Sequence, residues 1–162
     1  MDIYGFIKKI PMFKNCTSKE KKHLAQLSNS LIKHDKGDFI IKQGYESNSP
    51  LPLYVIVYGS VFIKKRGVIK PLATLNAGST FGEMSFLSKN PRTTNVIAAE
   101  NVMVIKLNDH FFKSIPDKLK DKIKNYLIEI LIERLNKMNE SFGKISNFAK
   151  EFSTQLEKCG FK

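Results

Sequence analysis

Residues 78–98 read Gly78-Ser79-Thr80-Phe81-Gly82-Glu83-Met84-Ser85-Phe86-Leu87-Ser88-Lys89-Asn90-Pro91-Arg92-Thr93-Thr94-Asn95-Val96-Ile97-Ala98. A single helical turn that starts at Gly82 leaves its first backbone N–H groups ahead of any intrahelical bond, and converging N–H groups suit a phosphate. Gly82 lets an anion come close to the backbone. Arg92 lies nine residues beyond Glu83 and follows Pro91, which ends a helix. Arg92 is therefore expected to return on a strand and grip phosphate oxygens with its planar, bidentate fork. Glu83, an acceptor, suits a sugar hydroxyl. Taken alone, Arg92 reads as a surface arginine and Glu83 as a helix-start carboxylate favoured by the dipole. Together they predict a site for a phosphate joined to a ribose.

Outward from this stretch, the chain from about Leu31 to Leu107 consists of short β-branched and aromatic runs separated by glycine, asparagine and proline, the pattern of an all-β sandwich or barrel. Strands are expected at Asp38-Phe39-Ile40-Ile41, at Leu53 to Tyr58, from Val61 onward, and at 68–75, 93–98 and 102–107. Gly37, Gly44, Gly59, Gly67 and Gly78 stand where the runs stop and are expected to make the turns. Residues 43–52, polar and carrying Pro50 and Pro52, read as a loop.

Helical spacing frames the β region. Thr17-Ser18-Lys19-Glu20 is a capping-box pattern and opens a short helix expected at about 18–29. After Asn108, apolar residues at Leu119, Ile123, Leu127, Ile130, Leu131, Leu135 and Met138 follow the helix period. The simplest reading of that stripe is core, although it is wider than one packing surface needs, and a partner helix could take the remainder. Phe142, Ile145, Phe148, Phe152 and Leu156 continue the spacing, with Gly143 and Ser146-Asn147 expected to bend or fray the helix.

At the residues of the 78–98 stretch the chain resembles the cyclic nucleotide-binding domain family, whose phosphate-binding cassette runs Phe-Gly-Glu, eight residues, then Arg and a small residue. Phe81-Gly82-Glu83 and Arg92-Thr93 match it in type and spacing. Lys36-Gly37-Asp38 with Gln43-Gly44, Leu53-Tyr54 with Gly59, and Ala77-Gly78 occupy the family's turn positions in order. The resemblance covers about residues 10–140 and departs in the loop between Gly44 and Tyr54, which is longer than the family's.

The resemblance implies a mainly β fold, a β-roll of the double-stranded β-helix or jelly-roll type with an N-terminal helix and long C-terminal helices. It divides the chain into an N-terminal helical segment at 1–30, the roll at 31–115 with its cassette at 81–94, and a C-terminal helical lid or interaction segment at 116–162. It implies a cyclic nucleotide ligand, cAMP or cGMP, held by Phe81, Gly82, Glu83, Met84, Ser85, Arg92, Thr93 and Thr94. Arg92 and backbone amides near Ser85 and Thr93 would take the cyclic phosphate, and Glu83 the ribose 2′-hydroxyl. By the same resemblance Tyr126, Ile130 or Arg134, in the helix after Pro116, would cap the base. A hydroxyl at Thr93 admits guanine without excluding adenine.

Composition bounds the alternatives. The 162 residues suit one domain with a packed core, with 42% apolar and 26% charged residues. The net charge of +12 favours anionic partners, with nucleic acid and membrane surfaces ranked below a solvated surface. Cys16 and Cys159 are too few and too far apart for a disulfide framework or a four-ligand zinc site, which fits a reducing cytoplasm. The N-terminus lacks the order of a signal peptide, and no run reaches the ~18–20 apolar residues of a membrane span. His23, His34 and His110 lack metal-ligand spacing, and neither a phosphate loop nor a nucleophile turn is present. Nothing after residue 140 resembles a helix-turn-helix. The sequence thus predicts a non-enzymatic sensor without cofactor or metal, relaying ligand binding to its C-terminal helix and to an effector protein, with homodimerisation through the C-terminal helices left open. The alternative is an interaction protein that keeps the fold without nucleotide and assembles through residues 116–162.

Overall fold

The computed structural model describes residues 3–27, 31–48 and 50–158. Expectations that fall on residues 1–2, 28–30, 49 and 159–162, Cys159 among them, lie outside the described residues. The chain divides into two units, parting between Ile123 and Lys124.

The first unit opens with α1 (Ile3–Lys9), a 3-10 turn (Pro11–Phe13) and α2 (Ser18–Leu27). The capping box forms as expected. The Glu20 amide donates to Thr17 Oγ1 (3.2 Å) and the Thr17 amide to Glu20 Oε2 (2.7 Å), so each residue satisfies a backbone donor of the other. Ile7, Met12, Phe13 and Leu24 are buried, which explains why so short a set of helices persists: packing, not propensity, stabilises it. The sequence pattern marks α2 but not α1 or the 3-10 turn.

Among the described residues eight strands follow: β1 (Leu31–His34), β2 (Phe39–Ile41), β3 (Leu53–Tyr58), β4 (Ser60–Lys64), β5 (Ala73–Asn76), β6 (Thr80–Phe81), β7 (Asn95–Ala98) and β8 (Val102–Leu107). They form two antiparallel four-stranded sheets, β1-β8-β3-β6 and β2-β7-β4-β5, the expected β-roll. Tyr54, Ile56, Val61, Phe81, Val96, Ala98 and Val104 fill its interior. The run Leu-Tyr-Val-Ile-Val-Tyr of β3 is buried through Val57, in keeping with a strand bonded to a neighbour on each side. Gly59, at φ +82°, turns β3 into β4 where a Cβ would stand 2.5 Å from the Asn101 carbonyl, so glycine alone fits.

Two strand boundaries differ from expectation. The run expected at 68–75 starts only at Ala73, because residues 65–72 are spent on the tip of the β4–β5 hairpin. The run expected at 93–98 starts at Asn95, since Thr93 and Thr94 belong to the connection that precedes it.

After β8, Asn108 caps α4 (Asp109–Ser114), its side chain accepting the Phe111 amide at 3.0 Å. Helix α5 (Asp117–Lys158) begins in the first unit and supplies the second. Gly143 and Ser146-Asn147 do not interrupt it, since a helix interior tolerates a cost of roughly 1 kcal/mol per glycine. The apolar stripe is core only at its start: Leu119, Ile123 and Leu127 are buried, Ile130 and Leu131 half-buried, and Leu135 and Met138 exposed. Lys122 bridges to Glu20 at 2.8 Å and holds that carboxyl below its ordinary value, with the Thr17 bonds adding to the effect against burial. Cys16 is a buried free thiol, pushed up by burial and by Glu20. No helix among the described residues is long and apolar enough to cross a membrane.

Candidate functional site

The cassette begins where β6 ends. Phe81 faces the core and stacks on Tyr54, ring centroids 5.1 Å apart and planes within 5°. Gly82 then turns at φ +82° and caps the six-residue helix α3 (Glu83–Ser88), whose first internal bond runs from the Phe86 amide to the Gly82 carbonyl (3.2 Å). Lys89, at φ +60°, ends the helix and donates its amide to the Ser85 carbonyl. Ser85 Oγ reaches the Pro91 carbonyl at 3.2 Å, folding the return segment against the helix.

That return segment positions Arg92. It is not a strand residue, contrary to expectation. It lies three residues ahead of β7, where the Gly44–Tyr45 turn holds its backbone on both sides: the Arg92 amide donates to the Tyr45 carbonyl (2.9 Å) and the Gly44 amide to the Arg92 carbonyl (2.8 Å). Arg92 is buried, 5% exposed as a residue. Nη1 donates to the Gly82 carbonyl (2.9 Å) and Nη2 to the Pro52 carbonyl (2.6 Å). A Cβ at Gly82 would stand 2.7 Å from Nη1, so glycine at this position is what lets Arg92 close on the turn. Burial pulls the guanidinium below its ordinary value, while Tyr54 and Glu83 favour the charged form. Tyr54 lies with its ring centroid 6.0 Å from the guanidinium carbon, within reach of a cation–π attraction, and burial pushes its phenol up.

The eight residues expected at the site thus divide. Gly82, Glu83, Ser85 and Arg92 share one corner, Gly82 half-buried and the other three buried, with Glu83 2% exposed. Phe81 acts through packing. The side chains of Met84 and Thr93 are exposed and that of Thr94 is half-buried.

Arg92 also lines a cavity of about 300 Å³. Its walls are Ile40, Ile41, Pro52 and Tyr54, and its polar positions are Lys42, Tyr45 and Lys106. Among the described residues, Arg92 is the one member of the expected set that reaches this cavity. Spacing along the chain gave no sign of Lys42, Tyr45 or Lys106. Tyr54 and Lys106 meet because they are partners in the β3–β8 register, a relation that only the folded sheet supplies. The signal that was available is Gly44, whose turn brings Tyr45 against Arg92. Among the described residues no group of histidine, cysteine and carboxylate side chains could hold a metal ion.

Comparison with known proteins gives the family and the fold. The family model described as cyclic nucleotide-binding domain matches residues 31–118. The cAMP-dependent protein kinase regulatory subunit of Aspergillus niger is 27% identical over 117 residues, 72% of this chain and 28% of that protein. This chain therefore spans less than a third of the length of that relative. The cAMP-bound regulatory domain of Toxoplasma gondii PKA superposes with a TM-score of 0.63 at 25% identity, covering 81% of this chain and 49% of the other. The regulatory subunit of a cAMP-independent protein kinase A from Trypanosoma brucei gives a TM-score of 0.63 at 28% identity, over 80% of this chain and 47% of the other.

Proposed function

This chain belongs to the cyclic nucleotide-binding domain family, and from that premise we propose that it is a sensor module for cAMP or cGMP. Arg92 takes the cyclic phosphate and the Gly82–Ser85 turn seats it. Glu83 takes the ribose 2′-hydroxyl. The observation that carries this reading is the buried guanidinium of Arg92, bonded to two neutral carbonyls beside a glycine that leaves room for it. Glu83 already favours the charged form of Arg92, and a cyclic phosphate is a further anion that the planar fork grips well.

Similarity of fold does not decide the ligand, since one relative is the regulatory subunit of a cAMP-dependent kinase and another that of a cAMP-independent one. Phe81-Gly82-Glu83 and Arg92-Thr93, in order, favour a nucleotide over a purely structural role. The exposed Thr93 hydroxyl leaves both bases open. Calorimetric titration with cAMP and with cGMP tests the reading. Saturable binding of at least one is expected, with weaker binding of its 2′-deoxy form because Glu83 then loses its partner. Equal binding of ribose and deoxyribose forms contradicts the role of Glu83, and no binding of either nucleotide contradicts the reading as a whole.

We assign residues 1–30 to support, 31–115 to the roll with its cassette at 81–94, and 116–162 to response and interaction, in a binding protein of the reducing cytoplasm that carries out no chemistry of its own. Amide exchange across residues 118–138 is expected to slow on ligand addition, reporting the change relayed to an effector. Ile128, Ile132, Leu135, Met138, Phe142 and Ile145 stand exposed on α5 at intervals of three and four residues. That spacing supports self-association through this helix. Sedimentation analysis of the chain is expected to show a dimer that Leu135→Lys dissociates.

A further inference from the structure

The tip of the β4–β5 hairpin, Lys65-Arg66-Gly67-Val68-Ile69-Lys70-Pro71-Leu72, has no part in the nucleotide reading. Its frame is defined. The Leu72 amide donates to the Ile63 carbonyl (2.8 Å) at the base, and the Val68 amide to the Lys65 carbonyl (3.1 Å) across a turn with Gly67 at φ +78°. Gln43 braces the tip from the next turn, its Oε1 accepting the Arg66 amide (2.8 Å) and its carbonyl accepting Arg66 Nη2 (3.3 Å). Within this frame the aliphatic side chains face outward: Ile69 is 95% exposed, and Val68 and Leu72 are exposed with it. Aliphatic side chains set in water at a braced turn contribute nothing to the core, which marks the cluster as an interaction surface.

Charge identifies what it meets. Lys65, Arg66 and Lys70 are exposed beside the aliphatic residues, and the sequence carries no aspartate or glutamate between Glu46 and Glu83. We propose that the hairpin tip docks on a bilayer containing anionic lipid. Val68, Ile69 and Leu72 enter the boundary between headgroups and acyl chains, and Lys65, Arg66 and Lys70 meet the lipid phosphates. A nucleic-acid backbone would use the cations but leave Ile69 in water, whereas a bilayer surface satisfies both. The net charge of +12 adds long-range attraction to the same surface. Bracing by Gln43 means that little loop entropy is lost on docking. The inference is independent of whether the cassette holds a nucleotide.

Sedimentation of the full chain with phosphatidylcholine vesicles, with and without phosphatidylserine, tests it. Binding only to the phosphatidylserine vesicles is expected, weakening as salt is raised. Ile69→Ser should lower the partition coefficient roughly tenfold. Lys65→Gln and Lys70→Gln should lower it roughly fivefold each. Tyr58→Ser, at another exposed large side chain outside the tip, should leave binding unchanged. The proposal is overturned if the wild-type chain stays in solution, if Ile69→Ser binds like wild type, or if Tyr58→Ser costs as much. It is equally overturned if duplex DNA displaces the chain from vesicles with an affinity that Ile69→Ser does not alter.

Discussion

At the cassette turn the chain buries an arginine and a glutamate, whereas at the β4–β5 hairpin tip it sets a valine, an isoleucine and a leucine in water. Either arrangement reverses the usual relation of polarity and burial, and either is unfavourable in isolation. Withdrawing one ion from water costs several kcal/mol after relaxation, and an exposed aliphatic side chain forgoes about 1.5–3 kcal/mol of transfer free energy. The two differ in their support. Arg92 is fixed by the Gly82 and Pro52 carbonyls and by backbone bonds to Gly44 and Tyr45, all continuous with the packed roll. The hairpin tip rests on a few bonds, and its Ile69 is 95% exposed. Substitutions at the cassette should therefore change stability and binding together, while those at the tip should change binding alone.

Phe81→Ala tests the cassette side most severely. It removes a buried ring stacked on Tyr54 and should destabilise the fold by about 3–5 kcal/mol in urea unfolding. A loss below about 1 kcal/mol would mean that the cassette is not built on the core. Gly82→Ala comes next, at about 1–3 kcal/mol. It combines an unfavourable left-handed conformation with a Cβ 2.7 Å from Arg92 Nη1, and nucleotide affinity should fall in the same variant.

Glu20→Gln lies outside both regions and calibrates the comparison, with an expected loss of less than about 1 kcal/mol. Because the Lys122 bond and the Thr17 bonds depress the folded-state value of Glu20, its contribution is full above the ~4.3 of an unfolded glutamate. That contribution fades as pH falls through the depressed value. Wild type and variant should therefore differ at pH 7 and converge in strong acid, as read by thermal melts across pH. Ile69→Ser should have the smallest effect on folding, within about 0.5 kcal/mol, while still reducing vesicle binding. A melting temperature that drops several degrees in this variant would erase the distinction between cassette and tip.

Much of the roll was legible because its turns demand a residue that little else can replace. Gly37, Gly44, Gly59, Gly67 and Gly78 all adopt positive φ where the strand pattern breaks. The capping box was legible for a similar reason, since two side chains answer two backbone donors at fixed spacing. Arg92 was legible in identity and proximity but not in conformation: its place depends on the Gly44–Tyr45 turn, in which Tyr45 stands 47 residues before Arg92 in the chain. The cavity wall was not legible, because Lys106 and Tyr54 become neighbours through register rather than composition. In α5 the periodicity identified the helix correctly but not the fate of its apolar side chains. Leu119 and Leu135 occupy the same stripe, yet one is buried and the other exposed, and a period carries no record of what a face meets.

The central claim is that Arg92 is a buried phosphate receptor, and titration of wild type, Arg92→Lys and Arg92→Ala with cAMP and cGMP tests it most directly. Circular dichroism of each variant shows first that the roll is intact. Wild type should bind at least one nucleotide. Arg92→Ala should bind it about a hundredfold more weakly or worse, as the phosphate loses its charged, bidentate partner. Arg92→Lys should recover little, because a point charge cannot reproduce the fork. A folded Arg92→Ala variant that binds cAMP or cGMP as tightly as wild type would contradict the account.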